Sequence, residues 1–165
     1  PPRKAESIPM SAVLQHPEST PVFDAMREAD VDAVIAIEEP IYEFPWTRGN
    51  FLDSIRAGYA CWVLRDAQGL VGYAIVTIAA GEAHLLNLSI DARHQRQGHG
   101  ARLLAHVIAG ARARGASILF LEVRPSNVAG RHLYVACGFK RIGVRRDYYP
   151  ATRGREDAWV LALDL

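Results

Sequence analysis

Cysteine is scarce in this 165-residue chain: only Cys61 and Cys137 occur, far apart and outside any metal-binding spacing. Two such thiols exclude a disulfide framework and point to a reducing, cytoplasmic setting. The six histidines, at 16, 84, 94, 99, 106 and 132, form no ligand cluster, so no metal is expected. A surplus of charge is missing as well. Nineteen Lys and Arg against eighteen Asp and Glu leave +1, too little for broad electrostatic binding of nucleic acid. A local basic patch remains at Arg141, Arg145 and Arg146, with Arg141 read as a solvated rim. No apolar run approaches the roughly 20 residues of a membrane span. The N-terminus lacks the charged-then-apolar pattern of a secretory signal. Neither nucleic acid nor a membrane is therefore expected as a direct partner.

Half of the residues are hydrophobic, ordinary for one globular domain with a substantial core. Residues Pro1 to Pro21 carry five prolines and no sustained period. They read as a mobile extension before a domain over 22–165. Asp30 is the expected N-cap of a helix over Val31 to Glu38. Phe44-Pro45-Trp46-Thr47 interrupts, and Phe51 to Ala57 reads as a short second helix. Phe44 and Trp46 suit either a plug beneath the loop or the lining of a substrate groove.

From Ala60 the pattern becomes β-rich. Strands are expected over Ala60–Arg65 and Leu70–Ala79, joined by the turn Asp66-Ala67-Gln68-Gly69, and over His84–Ile90. A helix over Ala101–Arg114 places Leu103, Leu104, Val107, Ile108 and Ala111 on one face, with Gly115 closing it. Ser117–Val123 is an almost continuous apolar strand. Val128–Cys137 is a helix stopped by Gly138. Phe139–Val144 and Ala158–Leu163 finish as strands around a Tyr-Tyr-Pro turn. The expected class is α/β, a single domain with a mixed central sheet flanked by helices.

Between the third strand and the long helix lies Gln95-Arg96-Gln97-Gly98-His99-Gly100. Unpaired N–H groups and the dipole at a helix start make an anion site suited to phosphate. Gly98 and Gly100 permit a tight turn and close approach, and Arg96 can bind phosphate by a charge-assisted bond. The dinucleotide fingerprint needs a third glycine where Leu103 stands. The nucleotide P-loop needs a Gly-Lys-Ser or Gly-Lys-Thr that the chain lacks. Glu122 breaks the apolar strand before Arg124-Pro125-Ser126-Asn127. It is either a satisfied ion-pair partner, with Arg124 or another arginine, or a general base at the carboxyl end of a central strand. Asn127 is an N-cap by type, or an amide for a cofactor arm. Tyr134, two helical turns on, is a core residue or a hydroxyl aimed at a thiol.

Four segments, Leu86-Asn87-Leu88-Ser89-Ile90, Gln95 to Gly100, Leu121 to Asn127, and Leu133-Tyr134 with Gly138-Phe139, resemble the successive motifs of the GNAT acetyltransferases. Phe44-Pro45-Trp46, Arg146-Asp147-Tyr148-Tyr149-Pro150 and Gly154-Arg155-Glu156-Asp157-Ala158 resemble its RimI-like subfamily. That subfamily acetylates the N-terminal alanine of a small-subunit ribosomal protein. The resemblance spans nearly everything after Val22. It departs at His99, usually a branched aliphatic, at Gly130, usually alanine and costing about 1 kcal/mol inside a helix, and at Asp147, usually asparagine.

The resemblance implies the GNAT fold, with acetyl-CoA as co-substrate. It implies Glu122 as proton acceptor and Tyr134 as proton donor. Leu88, Ser89 and Ile90 would bind the pantetheine arm with Asn127, while Arg96, Gln97, Gly98, His99, Gly100 and Ala101 would hold the pyrophosphate. Phe44, Trp46, Tyr148 and Tyr149 would line the acceptor groove. The implied partner is the N-terminal segment of a ribosomal protein, met by a monomer or weak homodimer. Chemistry favours such an acceptor. A peptide α-amine near pKa 7.7–8.0 is about one-tenth neutral at pH 7, against about one lysine in a few thousand. Two other readings stand beside this one: transfer to a small amine such as an antibiotic or polyamine, and a non-catalytic acetyl-CoA-binding module, which would not need Glu122 and Tyr134 together.

Overall fold

The computed structural model describes residues 20–165, so the expected extension falls, up to Ser19, outside the described residues. Seven strands form one sheet in the order β1-β2-β3-β4-β5-β7-β6. They are β1 Val22–Ala25, β2 Ala60–Asp66, β3 Gly69–Ala79, β4 Glu82–Ile90, β5 Ile118–Val123, β6 Lys140–Pro150 and β7 Arg155–Asp164. Four helices accompany them: α1 Val31–Ile41, α2 Arg48–Arg56, α3 His99–Ala113 and α4 Val128–Ala136. All neighbouring strands run antiparallel except β4 and β5, which are parallel. The mixed sheet flanked by helices is as expected from the sequence.

The alternation of side chains on the strands separates two cores. On one face Leu103, Leu104, Val107 and Ala111 of α3 pack with Ala74, Val76, Leu85, Leu119 and Leu121, and Tyr134 of α4 joins them. On the other, Val31, Val34 and Ile37 of α1 and Phe51 of α2 cover Val63, Tyr73 and Ile75. Burial of each large aliphatic contributes roughly 1.5–3 kcal/mol, so both layers are held firmly against the sheet.

Several local expectations need correction. Val22–Ala25 is a fourth strand of the amino-terminal meander, paired with Ala25↔Trp62 through Val22↔Arg65. Asp30 stands at the N-cap position of α1 as expected, but its side chain makes no capping bond. It is helical itself, and its carboxylate accepts the Arg27 N–H and pairs with Arg65. Helix α1 continues three residues past Glu38 and tolerates Pro40 in its last turn, where only one ladder bond is lost. Helix α2 starts at Arg48, capped by Thr47, whose hydroxyl accepts from Asn50 N–H. Helix α3 starts at His99, two residues early. Tyr148-Tyr149-Pro150 is not a turn but the end of β6. The chain reverses at residues 151–154 instead, where the Ala151 N–H bonds the Gly154 carbonyl.

Candidate active site

The parallel pair β4 and β5 is hydrogen-bonded only from Glu82↔Ile118 to Leu85↔Leu121. Beyond that the strands part. A register shift opposite Ile75 and Val76, where Leu86 has no partner on β3, bends β4 away; a bulge does this by adding one unpaired residue. Asp91 N–H bonds Val71 on the β3 side. By alternation, the N–H and C=O of Leu88 and Ile90 then face the open side. Gln95 uses its side-chain amide to hold the Ile90 carbonyl at 3.1 Å, fixing the end of the strand.

The opening is a cleft of about 300 Å³. It gathers, among others, Phe44, Trp46, Leu88, Glu122, Asn127, Tyr134 and Tyr149. These come from the α1–α2 loop, β4, β5, the loop before α4, α4 and β6. Some of the segments that sequence reasoning links to chemistry therefore meet here, while none of Gln95 to Ala101 lines this cleft. Tyr148 does not line it. It is 40% exposed, turned edge-on to Tyr149, with the Arg145 guanidinium 5.5 Å from its ring.

Glu122 stands at the mouth of the splay with 7% of its side chain exposed. One carboxylate oxygen pairs with Arg145 Nε at 3.0 Å and the other meets His84 Nε2 at 2.5 Å. Burial pushes its pKa up, but the His84 bond, the charge His84 carries when protonated, and the Arg145 charge outweigh it and hold the carboxyl below its usual range. The ion pair allowed by the sequence thus exists. Its partner is Arg145; Arg124 binds Glu156 instead, at 3.1 Å. Arg145 and His84 were not identified by sequence reasoning as neighbours of Glu122.

Tyr134 is buried, with its ring edge-on to Phe139. Burial, with Tyr42, Tyr149 and Cys137 nearby, raises its hydroxyl well above the ordinary tyrosine range, so it stays protonated. Asn127 is the N-cap of α4: its Oδ1 accepts the Gly130 N–H at 2.9 Å while the side chain also lines the cleft. A Cβ on Gly130 would lie 2.6 Å from Asn127 Nδ2. That accounts for glycine where alanine is the better helix former. Cys137 is partly buried, and burial raises its thiol pKa, which fits an apolar packing residue.

The sequence predicts Glu38 only as the end of a helix. It is 1% exposed and lines the same cleft. Its carboxylate accepts the Trp46 N–H at 2.8 Å, the Tyr73 hydroxyl and, at 3.3 Å, the Asn87 amide. It therefore ties α1 to the Phe44–Trp46 loop and to β4. The signal was present: Val31, Val34, Ile37 and Glu38 share one helical face, so the carboxylate occupies a core position. Beside it, Tyr42 and the buried Ser89 share a hydroxyl bond of 2.9 Å. Ser89 thus supports the wall from behind. Glu43 and Thr152 are hydrogen-bonded across the two lips.

The Gly-rich loop lies at the α3 start. Gly98 is the N-cap at φ +82°, and Arg96 also has a positive φ of +59°. The first helical bond is Arg102 N–H to the Gly98 carbonyl, so the N–H groups of His99, Gly100 and Ala101 precede the ladder. His99 packs edge-on to His94 with its Nδ1 buried and unpaired. Among the described residues no cluster of His, Cys, Asp and Glu is placed to hold a metal ion, and no helix is long and apolar enough to cross a membrane.

Comparison with known proteins agrees with this arrangement. Residues 31–139 match the Acetyltransferase (GNAT) family. The [Ribosomal protein bS18]-alanine N-acetyltransferase of Escherichia coli K12 is 38% identical over 143 residues, covering 87% of this chain and 97% of the relative. The crystal structure of the Escherichia coli ribosomal-protein-S18-alanine N-acetyltransferase superposes with a TM-score of 0.81 at 37% identity, over 87% of this chain and 93% of that one. Salmonella typhimurium yncA, a putative acetyltransferase solved with acetyl-CoA, shares the fold at TM-score 0.75 and 19% identity, over 89% and 95%. The splayed strands, the helix-start loop and these matches lead to one conclusion: the chain belongs to the GNAT acetyltransferase family.

Proposed function

We propose that the chain transfers the acetyl group of acetyl-CoA to the N-terminal α-amine of an alanine-starting protein, a ribosomal protein of the small subunit. The observation that carries this is the cleft itself. Glu122 and Tyr134 line one opening between β5 and α4, and the lips are Phe44 and Trp46 on one side and Tyr149 and Pro150 on the other. The named substrate of the Escherichia coli relative, at 38% identity over nearly its whole length, supports the choice of acceptor.

The chain's groups fit acetyl-CoA. The α3 start offers unladdered N–H groups and Arg96 for the pyrophosphate. The outward N–H and C=O of Leu88 and the outward N–H of Ile90 suit an extended pantetheine arm, with Asn127 opposite. Bound acetyl-CoA supplies a thioester carbonyl, and the same strand N–H groups can polarise it. Glu122 takes a proton from the α-ammonium, directly or through water, and Tyr134 gives one to the departing thiolate. Holding both reactants in one cleft supplies the proximity contribution. The acceptor lies as an extended peptide between the two lips, monomeric protein being sufficient for the site.

Mass spectrometry of peptides incubated with protein and acetyl-CoA tests the reading. An alanine-starting peptide should gain one acetyl group at its α-amine. An N-terminally blocked peptide with an internal lysine should not. Efficient acetylation of the blocked peptide, or preference for polyamines or aminoglycosides, overturns the proposal.

A further inference from the structure

We propose that His84 is the proton exit of the cleft, passing to solvent the proton that Glu122 removes from the acceptor ammonium. The inference rests on the acetyl-transfer reading above. Glu122 lines the cleft but is nearly sealed, with 7% of its side chain exposed, whereas His84, outside the lining, is 32% exposed. The two are joined by the 2.5 Å contact between His84 Nε2 and Glu122 Oε2. Apart from the way back through the cleft, the path from carboxylate to solvent thus begins at an imidazole.

The chemistry calls for such a second station. Each turnover leaves one proton in the cleft, because an α-ammonium must become an amine before it attacks. Arg145 occupies the other oxygen of Glu122 at 3.0 Å. A carboxylate so paired holds a proton weakly. An imidazole ordinarily has a proton affinity between that of a carboxylate and that of an α-amine, and it can accept at one nitrogen while donating at the other. Arg145 and Tyr149, both on β6, are charged or titratable groups that act on Glu122. The register neighbours of His84 itself, Thr77 on β3 and Phe120 on β5, do not titrate.

The transfer balances. An N–H bond of the ammonium breaks and an O–H forms on Glu122. Facing a protonated Glu122, neutral His84 exchanges its Nε2–H for Nδ1–H through solvent on its exposed ring, and the Glu122 O–H then breaks as Nε2–H forms again. The resulting imidazolium releases its Nδ1 proton to water, which restores the starting tautomer with Nε2–H on the carboxylate. The positive charge that arrives as ammonium leaves as hydronium, and the carboxylate is regenerated.

The experiment uses the full chain, acetyl-CoA and an alanine-starting peptide, with His84→Gln and His84→Ala. At pH 7 each variant should lose about tenfold or more in kcat, with acetyl-CoA affinity by calorimetry within twofold of the parent. At fixed pH, added imidazole should restore His84→Ala in proportion to its concentration. In His84→Gln, kcat should rise with total buffer concentration, while the parent is insensitive to buffer. Should His84→Ala fail to fold, the buffer dependence of His84→Gln decides alone. Parent-like kcat in His84→Gln, or a loss that neither imidazole nor buffer relieves, overturns the relay. A parent protein that acetylates no peptide α-amine overturns the functional reading instead, so the two failures are distinct.

Discussion

Asn127 Oδ1 accepts the Gly130 N–H at 2.9 Å, and a Cβ on Gly130 would meet the same Asn127 side chain at 2.6 Å. One side chain thus caps α4 and faces the cleft, and glycine at 130 keeps it there. Gly130→Ala gains about 1 kcal/mol of helix propensity and loses a cap worth about the same. Its melting temperature should stay near that of the parent. Acetyl-CoA affinity should fall several-fold, because Asn127 must turn away. Calorimetric affinity equal to the parent's would remove Asn127 from the cofactor site.

Glu38 should behave as a positioning residue. Glu38→Ala leaves the Trp46 N–H, the Tyr73 hydroxyl and the Asn87 amide without their shared acceptor. Buried groups stranded in this way cost about 1–3 kcal/mol each, partly offset by water entering from the cleft. The expected loss in urea unfolding is about 3 kcal/mol. In Glu38→Gln, which keeps an acceptor, KM for the peptide should rise more than KM for acetyl-CoA, since the Phe44–Trp46 lip is what loosens. Equal changes in both would place Glu38 outside acceptor binding.

Neither Glu122 nor Tyr134 should set a limb of the pH profile near neutrality. The Glu122 carboxyl is held below its usual range, so it is ionised throughout pH 6–9 and sets no limb there. Burial raises the Tyr134 hydroxyl above the ordinary tyrosine value, so it stays protonated over the same window. Glu122→Gln should cut kcat by about 10²-fold or more by removing the acceptor. Tyr134→Phe should lower kcat by a constant factor at every pH in that window, leaving the midpoints in place. A midpoint that moves in Tyr134→Phe would show that this hydroxyl titrates during turnover, contrary to its burial.

What the sequence made legible is what depends on local order. The strand–loop–helix around Gly98 and the shared helical face of Asn127 and Tyr134 follow from apolar periods and short spacings, while the meeting of Glu122 with Tyr134 is what the family resemblance implies. What stayed hidden depends on pairing across distance. Val22–Ala25 is a strand only because β2 offers it an edge, and four residues carry too little period to announce that. Arg145 reaches Glu122 across β7, since β5 and β6 are not neighbours in the sheet. No spacing along the chain encodes such a contact. Tyr148-Tyr149-Pro150 resembles a turn by composition, yet β7 pairs with it through Tyr149↔Glu156 and Pro150↔Arg155. A proline at the last residue of an edge strand costs little there.

Gly98 and Gly100 should fail for different reasons when substituted. Gly98 has φ +82°, and a Cβ there would stand in open space. Gly98→Ala therefore costs about 1 kcal/mol in the left-handed conformation rather than through a clash. The chain can relieve that strain by shifting the loop, which disturbs the N–H groups at the α3 start. Gly100 is helical, and its Cβ would rest 3.4 Å from Leu133 and 3.9 Å from Ile90. Alanine nearly fits, whereas valine pushes α4 and the end of β4 apart. Gly100→Ala should thus bind acetyl-CoA within a few-fold of the parent. Gly98→Ala and Gly100→Val should both bind it about tenfold or more weakly, and only Gly100→Val should also lose kcat, because α4 carries Tyr134. Calorimetry with acetyl-CoA and kcat at saturating cofactor check both halves. Parent-like affinity in Gly98→Ala and Gly100→Val together would move the pyrophosphate away from the α3 start.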